Sequence, residues 1–175
     1  MEHRISVVLN ESDIASRVKE IAKEISVDFF GENLLCICVL KGGFVFMADL
    51  MKHINIPTGI GYMAVSSYKN KTKSSGDIRI ILDLDIDITD KNIMLIDTVV
   101  DTGQTINNLY GVIKGKNPKS IRVCALIDKS DRREVPVQLD YVGFSISNGF
   151  LVGYGLDYAE RYRNLPFVGI LEEDE

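Results

Sequence analysis

Apolar and polar positions follow two rhythms along this chain. Between residues 12 and 30, Ile14, Val18, Ile21, Ala22, Ile25 and Phe29 recur at the spacing of one helix face, with Ser12 placed as an N-cap. LLCICVL (34–40) has no polar position, which predicts a strand covered on both faces. KGG breaks that run, and FVFMADLMKH (44–53) resumes at helical spacing. GIGYMAV (59–65) and IRIIL (78–82) read as strands, separated by SSYKNKTKSSGD (66–77). That polar stretch is too long for an ordinary connection, so it is either a mobile functional loop or the tip of an extended hairpin. A strand at 92–97, a helix near 104–114 and a strand at 120–127 follow. YVGFSI (141–146), FLVGYGL (150–156) and FVGIL (167–171) read as short strands with glycine turns. The alternation predicts an α/β fold around a mainly parallel sheet. The expected organisation is a single domain over 1–175, with a core of about 5–140 and a small hood from about 141–175 with the N-terminal residues.

Composition narrows the function classes. A net charge of -5 and a pI near 5.1 argue against a nucleic-acid partner held by a basic surface. LLCICVL is the longest apolar run, too short to cross a bilayer, and MEHRISVVLN lacks the apolar core of a signal peptide. A cytoplasmic protein with no membrane partner is the expectation. Cys36 and Cys38 sit two apart on one strand face, not at C-x-x-C metal spacing, and read as buried reduced thiols.

Several motifs fail on context. GIGYMA (59–64) matches a dinucleotide-binding fingerprint, but its glycines fall inside a strand instead of between a strand and a helix. GVIKGKN (111–117) echoes a P-loop with one residue too few, and reads as a helix ending at Gly115. DLDIDITD (83–90) starts like a calcium loop but has Ile88 and Met94 where Gly and Glu are required; it reads as a half-exposed edge. His3 and His53 are isolated.

IMLIDTVVDTGQTIN (93–107) is different. An apolar strand ends in Asp97, a second acid follows at Asp101, and Thr102, Gly103, Gln104 and Thr105 lead into a helix. Ligands of open α/β sheets bind beyond the carboxyl ends of the strands. A turn of free N–H groups and hydroxyls with a helix dipole behind it suits one phosphate monoester, and two carboxylates beside it suit a ribose. On spacing alone, a strand-to-helix turn capped by Asp and Thr explains these residues equally well.

Together with VLKGGFVFMADL (39–50), VSSY (65–68), TKSSG (72–76), LIDK (126–129), DYVGF (140–144) and VGYGLDYAERYRNLP (152–166), the segment resembles the hypoxanthine-guanine branch of the type I phosphoribosyltransferase family, over residues 5–171. The resemblance implies that family's fold, a mainly parallel sheet with flanking helices, a hood and a flexible loop. It implies transfer of the 5-phosphoribosyl group of 5-phosphoribosyl pyrophosphate (PRPP) to N9 of hypoxanthine or guanine, with Mg²⁺ as cofactor, in a homodimer or homotetramer. Thr102, Gly103, Gln104 and Thr105 then correspond to the 5′-phosphate cradle, Asp97 to a ribose contact and metal ligand, and Asp101 to the general acid/base beside purine N7. Lys41 and Gly42 correspond to the pyrophosphate loop, with a cis peptide before Lys41, and Arg163 to a second pyrophosphate contact. Ser67 and Tyr68 correspond to a closing loop. Lys129 corresponds to the donor to the purine 6-oxo group, Phe150 to the ring stacked on the base, Leu151 to a neighbouring backbone contact, and Asp157 to purine and metal binding. Taken singly, Lys41 and Lys129 read as solvated charges and Phe150 as core.

The chain departs from the family at Asp97-Thr98, where the pattern is Glu-Asp. Asp97 is a mild change. Thr98 removes a charge expected beside the ribose and Mg²⁺, so weakened PRPP handling or altered magnesium dependence is expected, and Thr98→Asp is expected to raise kcat/KM. Thr98 also keeps a second reading open, a PRPP- or nucleotide-sensing regulator with little turnover. Asp101, Lys129, Asp157 and Arg163 favour the enzyme.

Overall fold

The computed structural model describes residues 4–67 and 78–172; the side chains of Ser66, Ser67 and Ile78 are outside that description. In chain order the elements are β1 (Ile5–Leu9), α1 (Glu11–Asp28), β2 (Leu34–Leu40), α2 (Phe44–Met51), β3 (Thr58–Ser67), β4 (Ile78–Leu82), β5 (Asn92–Val100), α3 (Gln104–Lys114), β6 (Ser120–Asp128), β7 (Tyr141–Ser145), β8 (Phe150–Val152) and β9 (Val168–Leu171).

The main sheet runs β4-β3-β2-β5-β6-β7, parallel except for β4, which lies antiparallel on β3. Strand alternation splits the apolar runs of β2 and β5 between two cores. Cys36, Cys38, Met94 and Ile96 join Ile14, Val18, Ile21 and Ile25 of α1 and Phe46 and Leu50 of α2. Leu35, Ile37, Val39, Ile93 and Leu95 join Ile106, Leu109 and Ile113 of α3. The helices are therefore where the periodicity predicts, α1 and α2 on one side of a doubly buried sheet and α3 on the other.

The ends of the elements differ from the sequence reading. Asn10, not Ser12, caps α1: its Oδ1 accepts from the Asp13 N–H at 2.9 Å, and the Ser12 hydroxyl donates to the same oxygen at 2.6 Å. DLDIDITD is not an edge strand but an irregular connection, with Ile88 buried and Asp83 bound to the Leu84 N–H and Lys116. Residues 141–145 do not belong to the hood: β7 pairs with β6 at the edge of the main sheet. The second sheet, β1-β9-β8, is antiparallel and joins the N-terminal strand to the C-terminal segment. GIGYMA lies inside β3, away from any helix start. β3 and β4 pair out to Ser67 opposite Ile78, as a hairpin requires; Tyr68 and the rest of the polar stretch to residue 77 lie outside the described residues.

Candidate active site

The carboxyl ends of β2, β5 and β6 face the hood across a cavity of about 530 Å³. Lys41 and Gly42 enter it from the end of β2, Asp97, Asp101 and Thr105 from β5 and the turn after it, and Lys129 from the end of β6. The hood side supplies Phe150, Leu151, Asp157 and Arg163. Ten of the positions read from the sequence thus line one concavity, while Thr98, Thr102, Gly103 and Gln104 do not line it. A second hollow of about 560 Å³, between α1, α2 and residues 154–166, is floored by Ile14, Val18, Phe44 and Leu165 and holds no such convergence.

The Leu40–Lys41 peptide is cis. A side chain on Gly43 would come within 2.8 Å of the Val39 carbonyl, so only glycine fits where the chain turns from β2 into α2. The Lys41 ammonium pairs with Glu160 at 3.1 Å. Arg163 donates to the Gly155 carbonyl at 2.8 Å and pairs with Asp157 at 2.8 Å, while its buried Nε has no partner among the described residues. Asp157 also accepts from the Glu160 N–H at 2.9 Å.

Asp97 faces the cavity, yet burial pushes its carboxyl up to about 7, against the backbone N–H bonds of Thr98 and Val99. Thr98 does not face the cavity. Its side chain is fully buried, and its hydroxyl donates to the Gly42 carbonyl at 2.9 Å. The position reserved for an acid is here occupied by a donor that ties the end of β5 to the loop after β2. The expectation that Thr98 leaves a missing charge beside a ribose is therefore revised: an ionised carboxylate in this place could not make the donation to the Gly42 carbonyl.

One oxygen of Asp101 pairs with Arg132 at 3.3 Å; the other is shielded and has no hydrogen-bond partner among the described residues. Lys129 is 3% exposed and donates to the Gly149 carbonyl at 2.8 Å; burial holds its ammonium below the ordinary value, with Asp101 pulling the other way. Phe150 is not core. It is 51% exposed at the rim, edge-to-face with Tyr158 at 5.7 Å between ring centroids.

The turn into α3 depends on Gly103, whose φ of 85° suits glycine. Thr102 accepts from the Gln104 N–H at 3.4 Å, and the Gln104 side chain turns onto Glu134. Ser67 ends β3, with its side chain outside the described residues, as all of Tyr68 is.

The sequence reading missed Arg132, Arg133 and Glu160. Each lies in a run of charges with no spacing signature, and parallel pairing of β5 with β6 is what brings 132 and 133 to the turn at 101–103. The arrangement offers a carboxylate with one unpartnered oxygen, a buried ammonium, an exposed ring and two cations across the cavity.

The model of the phosphoribosyl transferase domain family matches residues 6–159. The chain is similar to a hypoxanthine phosphoribosyltransferase of Buchnera aphidicola, 43% identical over 171 residues and covering 97% of each chain. It is similar to a hypoxanthine-guanine phosphoribosyltransferase of Streptococcus mutans, 43% identical over 175 residues, covering 99% of this chain and 97% of that one. Among solved structures, a Bacillus anthracis hypoxanthine-guanine phosphoribosyltransferase with a HEPES molecule in the active site superposes with a TM-score of 0.91 at 40% identity, covering 98% of this chain and 100% of that one.

Proposed function

The chain belongs to the phosphoribosyl transferase domain family, and from that premise we propose that it transfers the 5-phosphoribosyl group of PRPP to N9 of hypoxanthine or guanine, releasing pyrophosphate and giving IMP or GMP in purine salvage. The observation that carries this reading is the convergence of Asp101, Lys129 and Phe150 at one part of a cavity whose other walls carry Lys41, Asp97 and Arg163.

The N–H groups and hydroxyls of 102–105, with the α3 dipole behind them, hold the 5′-phosphate. Asp97 takes the ribose hydroxyls, and Lys41, Gly42 and Arg163 hold the pyrophosphate. The purine stacks on the exposed Phe150, with its 6-oxo group on Lys129 and the Leu151 backbone beside it. As the bond from C1′ to the pyrophosphate oxygen breaks and the N9–C1′ bond forms, the proton on N7 passes to the Asp101 carboxylate. A purine bearing an amino group at C6 sets a donor against the Lys129 ammonium where a 6-oxo group offers an acceptor, which sets the preference for 6-oxopurines.

Asp97 and Asp157 fit Mg²⁺ as Mg²⁺ is usually held, by one or two carboxylates together with substrate phosphates, and no cage of three or more acidic, His or Cys ligands exists among the described residues. When bound, Mg²⁺ supplies neutralisation of the charge on the departing pyrophosphate. The protein acts in the cytoplasm, a reading supported by three buried free cysteines. It works as a homodimer or homotetramer, supported by the exposed Ile60, Tyr62 and Leu82 on the β3–β4 side of the sheet.

The sensor reading loses its main argument, since Thr98 holds the pyrophosphate loop instead of facing the ribose. The deciding experiment is a spectrophotometric assay with PRPP, Mg²⁺ and hypoxanthine or guanine. Nucleotide from at least one base is expected; none from either refutes the transferase.

A further inference from the structure

Three consecutive carbonyls of the turn before α3 are tied down, that of Val100 already by the Lys129 N–H at 3.0 Å. Arg133 Nε donates to the Asp101 carbonyl at 3.0 Å and its Nη2 to the Val100 carbonyl at 3.3 Å. The Thr102 carbonyl accepts from the N–H groups of Glu134 and Val135 at 2.9 and 3.2 Å. The same guanidinium pairs with Asp128, and both side chains are largely buried, at 16% and 22% exposure. Its stem lies flat against the turn: a side chain on Gly103 would come within 2.7 Å of Arg133 Cδ. Neither Arg133 nor Glu134 nor Val135 lines the cavity.

These peptides are trans, and a trans peptide points its N–H opposite to its carbonyl. Fixing the carbonyls of 101 and 102 onto Arg133, Glu134 and Val135 fixes the N–H groups of 102 and 103 on the opposite side of the turn. The fork of Arg133 also spans Asp128 and the two carbonyls at once, which a single ammonium cannot reproduce.

We propose that Arg133 is a positioning residue for the phosphate cradle: it touches no substrate, but aims the Thr102 N–H at the head of the cradle by holding the Asp101 carbonyl, with Asp128 as its counterion. This rests on the reading of 102–105 as the 5′-phosphate site. It makes Arg133 specific to ligands that carry the 5′-phosphate, namely PRPP and the nucleoside monophosphate product, and indifferent to pyrophosphate alone.

The test is Arg133→Lys, with Asp128→Asn as a second variant that keeps both carbonyl bonds. Calorimetry measures IMP and magnesium pyrophosphate binding, kinetics gives KM for PRPP and for hypoxanthine, and thermal unfolding is followed in parallel. Arg133→Lys is expected to weaken IMP binding and raise KM for PRPP roughly ten- to a hundredfold, leaving pyrophosphate binding and the thermal midpoint near wild type. Asp128→Asn is expected to do less. The proposal is overturned if Arg133→Lys binds IMP like wild type, if IMP and pyrophosphate affinity fall together with the thermal midpoint, or if Asp128→Asn is as damaging as Arg133→Lys. Turnover of hypoxanthine by the wild type, run alongside, tests the transferase reading separately, because the comparison of IMP binding needs no turnover.

Discussion

Thr98 gives the sharpest contest between two lines of reasoning about this chain. Family pattern alone says that a carboxylate is missing there and that Thr98→Asp should raise kcat/KM for PRPP. The structure says that the hydroxyl is a buried donor to the Gly42 carbonyl, in the loop proposed to receive pyrophosphate. Thr98→Val keeps the shape and removes the donor. Leaving a buried acceptor unmatched costs about 1–3 kcal/mol. If that cost falls wholly on the geometry of the loop in the transition state, kcat/KM for PRPP drops roughly five- to 150-fold. Thr98→Ser keeps the donor and should stay near wild type. Thr98→Asp places a carboxylate against a carbonyl, so it should lose activity, and it should lose stability as pH rises because only the protonated acid can donate. The assay is initial-rate kinetics over PRPP at fixed magnesium, with thermal unfolding as a control. Wild-type kinetics for Thr98→Val, or a gain for Thr98→Asp, would refute the structural argument.

Three further outcomes are expected. Asp101→Asn should lower kcat on the order of 10²- to 10⁴-fold with little change in thermal midpoint, since it removes a proton acceptor and not a core contact; unchanged kcat would remove Asp101 from proton transfer. Lys129→Met should lower kcat/KM for hypoxanthine roughly ten- to a hundredfold and narrow the gap to adenine, read as a ratio of the two kcat/KM values; an unchanged ratio argues against 6-oxo recognition by this ammonium. Asp49 links α2 to the hood by accepting from the Tyr154 hydroxyl at 2.7 Å; burial raises its pKa, but Lys52 and Tyr154 more than offset this and hold it below its ordinary 3.8. A depressed carboxyl contributes stability above its unfolded pKa and loses it as pH falls through the folded one, so Asp49→Asn should flatten the acid limb of the thermal midpoint below pH 3.8. An acid limb identical to wild type would show that the pair contributes nothing.

The amino-acid sequence by itself determined the layers and the position of the site along the chain. Runs such as LLCICVL and the periodicity of Ile14 to Ile25 specify buried strands and one-faced helices because burial of apolar area is what drives those segments together, and period follows from backbone geometry. The Asp97–Thr105 turn was legible for a similar reason: its chemistry is local, contained in nine consecutive residues. The exposure of Phe150, the partner of Thr98 and the contacts of Arg133 were not legible from spacing. Whether an aromatic ring is core or rim depends on what the hood covers, and only the pairing of β8 with β9 leaves Phe150 half exposed. The partner of the Thr98 hydroxyl lies 56 residues away at Gly42, and the guanidinium of Arg133 reaches back 32 residues to Asp101. Hydrogen bonds between such distant groups leave no periodicity in the sequence. They exist only once parallel strands bring the ends of β2, β5 and β6 side by side, and there tertiary structure decided which residues line the cavity and which hold the others in place.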